Sequence, residues 1–388
     1  MSEFTRFVEM RRELHQYPEL SHEELETTGR IRRWLEEAEI RLVHYPLHTG
    51  VVAEVGGFLD GPVIAIRADI DALPIQEETG LPYASRLPGQ MHACGHDFHT
   101  ASLIGTAYAL KAKERNLKGT IRFIFQPAEE KAEGAKAVIE SGALEGVTAI
   151  FGMHNKPDLP VGTIGIKEGP LMAAADGFIV DVQGRGTHAA VPEAGADPVV
   201  AAAHIITALQ TVVSRNVGSL DSAVISVTKL LSGTTWNVIP DSAQLEGTIR
   251  TLDDDVRVTI LNRFRQVAEG VAAALGVKAA VRWIEGPPSV QNDAALAALG
   301  RRAAELTGYR HIEAAPSPAG EDFAVYQRHV PGLFVFMGTD GPQEWHHPAF
   351  NIDERAIEVS IHFFEQLAEL ALAQLQKKEV LPYSRQHL

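Results

Sequence analysis

Short, continuous apolar runs alternate with helix-length segments through the first part of the chain and again near its end. The runs lie at residues 62–66, 120–125, 149–153 and 332–337. Runs of this length between helical segments are typical of strands whose sheet is covered by helices on both faces. The pattern therefore predicts an α/β domain.

The two ends of the chain carry weaker local patterns. Ser21 is followed three residues later by Glu24, which is the spacing of a capping box, and apolar residues then recur at helical spacing. This predicts a helix with Ser21 as its capping residue. Residues 381–388 are mostly polar and predict a loose tail.

A different order of elements occupies residues 177–289. A strand pattern precedes a helix that Asp197 is expected to cap, and two more strand patterns follow it. A second amphipathic helix starts near Asp253 and leads into a last strand. The order β-α-β-β-α-β predicts a ferredoxin-like α+β domain. We expect this domain to be inserted into the larger one, which comprises residues 1–176 and 290–388.

The composition narrows the choice of partners. The length of 388 residues exceeds the usual size of one domain, and the net charge of −15 disfavours nucleic acids and anionic membranes, which are polyanions themselves. No apolar run reaches 18 residues, and the N-terminus lacks a basic stretch followed by an apolar core. The single cysteine, Cys94, excludes an internal disulfide. We therefore expect a cytoplasmic protein without nucleic-acid or membrane partners.

The densest cluster of chemically active residues is MHACGHDFH at 91–99. Cys94 and His96 are separated by one glycine and can turn toward a single ion from a loop. Thiolate and imidazole together favour Zn²⁺, Ni²⁺, Co²⁺ or Mn²⁺ over Mg²⁺ or Ca²⁺. The alternative is a small buried thiol in a polar turn, but the density of histidines favours the metal site.

Polar side chains follow the predicted strands of the larger domain: Asp69 and Asp71, Glu129 and Glu130, His154, and His346 and His347. In open α/β sheets the functional site lies outside the carboxyl ends of the strands. Two adjacent carboxylates beside a metal repel each other, and the repulsion is relieved if one binds the ion and the other holds a proton. Adjacent acids also mark many solvated helix starts, so both interpretations of Glu129 and Glu130 stay open at this point.

The inserted domain carries three further candidates. The glycine-rich turn GRGTH at 184–188 ends in His188, and its spacing matches neither a P-loop nor a dinucleotide fingerprint. Asn237 lies in TTWNVIP at 234–240, and Arg250 ends the next predicted strand. An arginine there suits bidentate binding of a carboxylate, although spacing alone fits a solvated arginine equally well.

Taken together, these motifs resemble the dinuclear metal amidohydrolases. That family contains N-acyl-amino-acid deacetylases, hippurate hydrolases and auxin-conjugate hydrolases, and is related to aminoacylase-type metallopeptidases. The resemblance extends from RRELH at 11–15 to the last helix, and it rests on MHACGHD (91–97), FQPAEE (125–130), GMH (152–154), HHP (346–348), RADIDALP (67–74) and GEDF (320–323). It implies a metallopeptidase-like catalytic domain with a mixed sheet, and an inserted lid and dimerisation domain.

Carried over residue by residue, the resemblance implies a set of roles in the catalytic domain. It implies two divalent ions per subunit (Zn, Mn, Ni or Co), held by Cys94, His96, Glu130, His154 and His346, with Cys94 as the bridge. Glu129 would be the acid/base, and Asp71 would lie behind the ligands. His347 in place of His346 remains an alternative.

In the inserted domain the resemblance implies roles toward the substrate and a second subunit. His188 matches a histidine that family members lend to the neighbouring subunit's site, so a homodimer or a higher homo-oligomer is expected. Asn237 and Arg250 match positions that hold the polar ends of the substrate. The substrate implied is an N-acyl-L-amino acid.

The expected reaction is hydrolysis of the amide bond of that substrate. Three alternatives are a metallo-dipeptidase or exopeptidase of the same superfamily, a cysteine hydrolase that uses Cys94, and a non-catalytic metal-binding protein that needs no Glu129. The sequence leaves the acyl group, the amino acid and the metal open.

Overall fold

The computed structural model describes residues 3–379, and the chain divides into two compact units. Unit 1 comprises Met1–Gly169, Gln291–Ala315 and Asp322–Leu388, and unit 2 comprises Pro170–Val290 and Pro316–Glu321. The polar tail predicted at residues 381–388 lies outside the described residues.

The helices of the described residues are numbered in chain order. They are α1 (Glu3–Gln16), α2 (Leu25–Glu37), α3 (His96–Ala112), α4 (Gly134–Glu140), α5 (Pro198–Asn216), α6 (Asp254–Ala274), α7 (Ala294–Thr307), α8 (Phe323–Tyr326) and α9 (Ala356–Glu379). Two short 3₁₀ turns lie at Glu114–Asn116 and Pro192–Ala194.

The strands are numbered in the same way. They are β1 (Arg41–Val43), β2 (Val51–Gly56), β3 (Leu59–Asp69), β4 (Lys118–Gln126), β5 (Val147–Lys156), β6 (Thr163–Ile166), β7 (Gly169–Met172), β8 (Ala174–Gln183), β9 (Thr187–His188), β10 (Ala223–Ser232), β11 (Val238–Ile239), β12 (Ser242–Thr251), β13 (Lys278–Ile284), β14 (Val290–Asn292), β15 (Arg310–Glu313) and β16 (Gly332–Gly338).

Unit 1 is built around one mixed sheet with the strand order β1-β2-β4-β3-β5-β16-β6-β15. The central strands β4, β3, β5 and β16 run parallel to their neighbours in this group, whereas β1, β2 and β6 add antiparallel pairings. The four apolar runs of the sequence form these central strands, and Phe123, Phe151 and Val335 in them are fully buried. The predicted α/β domain with a mixed sheet and covering helices is confirmed.

The register of the central strands positions the site. Asp69 pairs with Gln126, so β3 and β4 end at the same edge and the loops that follow them start side by side. Arg67 lies opposite Gly152 of β5, which places His154 at the same level two residues further on. His154 thus lies within β5 rather than after it, because the strand continues to Lys156.

Unit 2 contains a four-stranded antiparallel sheet with the order β10-β12-β8-β13. Together with α5 and α6 this is the ferredoxin-like arrangement, so that part of the fold prediction is confirmed. Asp197 caps α5 by accepting hydrogen bonds from the amides of Val199 and Val200, and Asp253 caps α6 through Val256.

Helix α5 is the single helix of residues 3–379 that is long and apolar enough to cross a membrane by length and composition alone. Its residues Ile205 and Leu209 are fully buried in the core of unit 2, against Phe178 of the sheet and Phe264 of α6. Packing accounts for the apolar residues on this buried face of the helix.

The capping box predicted at Ser21 and Glu24 is wrong. Helix α2 begins at Leu25, and its capping residue Glu24 makes no side-chain bond to the helix end. Glu24 instead accepts hydrogen bonds from the Thr49 hydroxyl and the Ala128 amide. Ser21 donates its hydroxyl to Asp71, so tertiary contacts outweigh the local pattern.

Candidate metal centre

A sharp turn before α3 places Cys94 and His96 on the same side of the chain. Gly95 between them has φ +81°, a left-handed conformation that favours glycine. A Cβ at this position would lie 2.5 Å from Nδ2 of Asn155. Both the backbone conformation and the close approach therefore require glycine.

His154 faces Cys94 from strand β5. Its Nε2 lies 3.4 Å from Sγ of Cys94, and its Nδ1 lies 2.9 Å from the carbonyl oxygen of Asn155. The carbonyl accepts a hydrogen bond from Nδ1–H, which leaves the lone pair of Nε2 directed toward Cys94. Burial lowers the pKa of His154 well below its usual range, so the ring is in the neutral form that binds metals.

Glu130 and His346 complete a second group around Cys94. Oε1 of Glu130 lies 3.5 Å from Nε2 of His346 and 3.8 Å from Nε2 of His96. The loop that carries His346 is tied down by its amide, which donates to the carbonyl of Ala93 at 2.8 Å. His347 turns its Nδ1 to the amide of Ala349 instead. The geometry thus favours His346 over His347.

The donor atoms form overlapping groups within 4.8 Å of one another. One group is Cys94, His96 and His154, a second is Cys94, Glu130 and His346, and a third is His96, Glu129 and Glu130. Within residues 3–379, Nε2 of His96 and Oε1 of Glu130 are buried and have no hydrogen-bond partner. Buried polar atoms without partners are costly, and a cation between these groups would satisfy both. The residues therefore fit two divalent metal ions, and Cys94 belongs to two of the three groups.

The protonation of these side chains depends on that cation. Burial and the nearby Glu130 carboxylate raise the pKa of the Cys94 thiol well above its usual range. A coordinated thiol is deprotonated outright, because the ion is the largest local charge. Burial disfavours the charged form of His96, but Asp69 and Asp71 outweigh it and raise its pKa well above the usual value.

Asp71 is not a member of these donor groups but contacts two residues that are. Its Oδ1 lies 3.3 Å from Nδ1 of His96, and its Oδ2 accepts hydrogen bonds from the Ser21 hydroxyl at 2.6 Å and the Glu130 amide at 3.0 Å. Asp71 thus orients one donor and fixes the backbone of another. Partners of this kind set ring orientation and basicity in metal sites.

Glu129 is held by the start of helix α8. Its Oε1 accepts a hydrogen bond of 3.2 Å from the amide of Asp322. The Asp322 carboxylate in turn accepts hydrogen bonds from Arg67, Gln126 and the Ala135 amide. The loop between β4 and α4, which carries Glu129, is therefore anchored by buried contacts on both sides.

A buried charge cluster underlies this anchor. Arg67 donates to Asp69 at 2.8 Å and to Asp322 at 2.6 Å, and all three side chains are inaccessible to solvent. Burial raises the pKa of Asp322 to about 6 despite the Arg67 guanidinium. The motifs RADIDALP and GEDF contain these residues, but no role was predicted for Arg67 or Asp322 from the sequence.

His188 and Asn237 are neighbours in unit 2. The two-stranded ribbon of β9 and β11 pairs His188 with Val238, and the amide of Ala189 donates to the carbonyl of Asn237. The His188 ring is exposed, and its Nδ1 accepts a hydrogen bond from the Ala190 amide. Nε2 therefore points away from the local turn.

Arg250 lies in β12 and is partly buried. Its Nη1 donates to the hydroxyl of Thr248 and to the carbonyl of Ile249. Among residues 3–379 no carboxylate forms an ion pair with it, and burial lowers its pKa. It lines a small cavity of about 110 Å³ in unit 2.

Three residues around the site had no role predicted from the sequence. His99 donates from Nδ1 to Asp69 at 2.6 Å, Asn155 contacts the Cys94 carbonyl, and the indole of Trp345 packs against the His154 ring with 4.4 Å between centroids. His99 belongs to the histidine cluster and Trp345 precedes His346, so proximity to a motif was the one available signal. Asn155 gave none.

A sequence profile described as peptidase family M20/M25/M40 matches residues 65–370. The chain belongs to this family. Membership confirms the resemblance inferred from the motifs and the expectation of a hydrolase that acts on amide bonds.

Relatives within the family match this M20 protein over nearly its whole length. It is 58% identical over 369 residues to N-acetylcysteine deacetylase of Bacillus subtilis (strain 168), covering 95% of this chain and 97% of that protein. It is 39% identical over 369 residues to N-acetyldiaminopimelate deacetylase of Geobacillus sp. (strain WCH70), covering 94% and 97%. The YXEP protein of Bacillus subtilis, a solved structure described as a dinuclear metal binding peptidase from the M20 family, superposes with a TM-score of 0.87 at 54% identity, covering 95% and 98%.

Proposed function

We propose that this M20 protein hydrolyses the amide bond of N-acyl-L-amino acids and that N-acetylated amino acids are its first candidate substrates. One observation carries the proposal: two groups of metal-binding donors share Cys94 and lie beside a second carboxylate, Glu129. Two relatives with 58% and 53% identity are named for the deacetylation of N-acetylcysteine, which supports this substrate class.

The donor set of one thiolate, three imidazoles and one carboxylate suits transition ions such as zinc, manganese, nickel or cobalt. Two such ions would lower the pKa of a shared water toward about 7 and polarise the acyl oxygen. Glu129 takes a proton from the attacking water and passes it to the departing nitrogen. A C–O bond forms and the C–N bond breaks, which releases a carboxylate and a free amino acid.

Arg250 fits the carboxylate of the substrate. A partly buried guanidinium without an ion pair attracts an anion, and its planar fork binds a carboxylate through two parallel hydrogen bonds. Asn237 presents an amide that can donate to or accept from a second polar group. Such contacts would let a chain with net charge −15 bind an anionic substrate.

Unit 2 also presents a surface suited to a second copy of the chain. Strand β10 is an edge strand of its sheet, and Leu230, Leu231 and Trp236 in and after it are exposed. Exposed edges with apolar side chains favour pairing with another chain. We infer a homodimer in which His188 of one subunit donates a hydrogen bond to the acyl oxygen bound by the other.

Mixing inactive variants tests the role of His188. We expect His188→Ala to bind metal, remain dimeric and lose about 100- to 1,000-fold in turnover, as for other donors to a developing oxyanion. Co-assembly with Glu129→Gln subunits places an intact His188 opposite an intact Glu129 in each mixed dimer. Each mixed dimer then has one complete site out of two, so its activity should return to about half of wild type. Confirmed mixed dimers without recovery would contradict the shared site.

A substrate panel tests the activity itself. Purified protein is loaded with each of the four metals and assayed against N-acetyl, N-benzoyl and N-indoleacetyl amino acids and against dipeptides with a free amine. We expect deacylation that chelator abolishes and added metal restores. Activity that survives full chelation would favour a cysteine hydrolase, and preference for dipeptides would favour a peptidase. Metal binding without any hydrolysis would refute the enzyme.

A further inference from the structure

Asn155 connects the three segments of unit 1 that carry Cys94, His154 and His346. It directly follows His154 in β5 and is completely inaccessible to solvent. Each of its polar atoms has a partner in one of the other segments. Cys94 lies 60 positions before His154 along the chain, and His346 lies 192 positions after it.

The side-chain amide of Asn155 contacts the turn that carries Cys94. Nδ2 donates to the carbonyl of Cys94 at 2.5 Å and lies 3.1 Å from Nε2 of His99. The backbone amide of Asn155 also donates to Nε2 of His99, at 3.0 Å. Nε2 of His99 is therefore an acceptor, so its Nδ1 carries the proton that bonds Asp69.

The opposite side of Asn155 reaches the loop before His346. Nε1 of Trp345 lies 3.1 Å from both Oδ1 and the carbonyl oxygen of Asn155 and donates to them. The same carbonyl accepts the hydrogen bond from Nδ1 of His154. Oδ1 of Asn155 thus faces a donor and Nδ2 faces acceptors. A flipped amide would reverse both pairings, so only one orientation of the side chain is consistent with these contacts.

We propose that Asn155 is a positioning residue that holds Cys94, His154 and His346 at the spacing required for two metal ions. This inference rests on the proposed function, because it assumes that these three side chains bind metal. Replacing the amide by a carboxylate keeps the shape but turns the donor that faces the Cys94 carbonyl into an acceptor. The turn at Gly95 then loses its anchor, and the Sγ and Nε2 atoms lose their fixed separation.

The test compares Asn155→Asp with a matched control elsewhere in unit 1. Asn292 is also buried, donates from Nδ2 to the carbonyls of Lys167 and Phe334, and accepts the Phe334 amide through Oδ1. It makes the same kinds of bond without contacting a metal-binding segment. Trp345→Phe is a milder variant, because it removes only the indole N–H that is shared between two oxygens of Asn155 and keeps an aromatic ring.

The measurements are metal ions retained per chain by elemental analysis, the chelator concentration that removes half of them, and the melting temperature. Loss of a partner of this kind costs about 10- to 100-fold in metal affinity. We expect Asn155→Asp to lose its metal at about 10- to 100-fold lower chelator concentration, and Trp345→Phe to be intermediate. Asn292→Asp should melt earlier yet release its metal at the wild-type midpoint.

Several outcomes would overturn the inference. A folded Asn155→Asp with the wild-type chelator midpoint would do so, as would an equal loss of metal in Asn292→Asp. If Asn155→Asp fails to fold, a wild-type midpoint in Trp345→Phe decides against it. Wild-type protein that binds no divalent ion refutes the proposed function and this inference together, whereas wild-type binding with unchanged variants refutes the inference alone.

Discussion

Glu129 and Glu130 are adjacent carboxylates with different surroundings, and exchanging each for glutamine should separate their roles. Glu130 directs a buried oxygen, which has no hydrogen-bond partner in the described part of the chain, toward the rings of His96 and His346. Glu129 is held by the Asp322 amide, a bond that glutamine preserves through its own carbonyl oxygen. We therefore expect Glu129→Gln to keep its metal and lose rate, and Glu130→Gln to lose metal.

The magnitudes follow from the two roles. Glutamine cannot accept a proton from water, and removal of a general acid/base costs about 100- to 10,000-fold in rate. This corresponds to about 3–5 kcal/mol in the activation free energy. Glutamine at position 130 replaces a charged ligand by a neutral one. Loss of a residue that only hydrogen-bonds a ligand already costs roughly 10- to 100-fold in metal affinity, so the metal affinity of Glu130→Gln should fall by at least that factor.

The assay measures kcat for the best substrate of the panel at saturating metal, together with metal ions per chain after gel filtration. Glu129→Gln should retain the wild-type metal content at a kcat reduced by the stated factor. Glu130→Gln should show substoichiometric metal and partial recovery of activity when metal is added. Full metal content in both variants, with Glu130→Gln the inactive one, would mean that the two roles are reversed.

Three further variants test the packing around the site. Burial lowers the pKa of His92 to about 4, so the unfolded chain takes up a proton before the folded chain does as the pH falls below 6.5. Chelator-treated protein should therefore lose about 3 kcal/mol of unfolding free energy between pH 6.5 and 4. His92→Asn should flatten this pH dependence, as measured by urea denaturation. Gly95→Ala forces an L-residue to φ +81° at a cost of about 1–2 kcal/mol, read as a lower melting temperature and metal content. Arg67→Met removes the guanidinium that pairs with the buried carboxylates of Asp69 and Asp322 and should cost about 3–5 kcal/mol. The exposed Arg12→Met should cost less than about 1 kcal/mol, and equal effects would contradict this expectation.

The sequence predicted best where local chemistry decides the structure. The apolar runs became the central strands because each is buried on both faces, and Asp197 before Pro198 marked the start of α5 because capping needs no distant partner. The donors Cys94 and His96 were recognisable because they lie two residues apart. The clustering of polar residues after the central strands could be predicted because the carboxyl ends of parallel strands lie at one edge of the sheet.

Contacts between distant segments could not be predicted in the same way. Arg67 and Asp322 lie 255 positions apart and meet only in the folded sheet. Asn155 shows no pattern in the sequence, since its role depends on a carbonyl and an indole brought to it from elsewhere. The error at Ser21 has the same origin, because a distant carboxylate, Asp71, bonds its hydroxyl in place of the helix end.

The place of β16 in the sheet has a consequence for biosynthesis. This late strand is inserted between β5 and β6, which belong to the first half of the chain. Until the ribosome has released residues beyond Gly338, both of those strands expose unpaired backbone edges in the nascent polypeptide. Such edges bind other chains readily, so truncated products should aggregate and early translation should depend on chaperones. The hydrolase therefore completes its central sheet only after residues 332–338 have been synthesised.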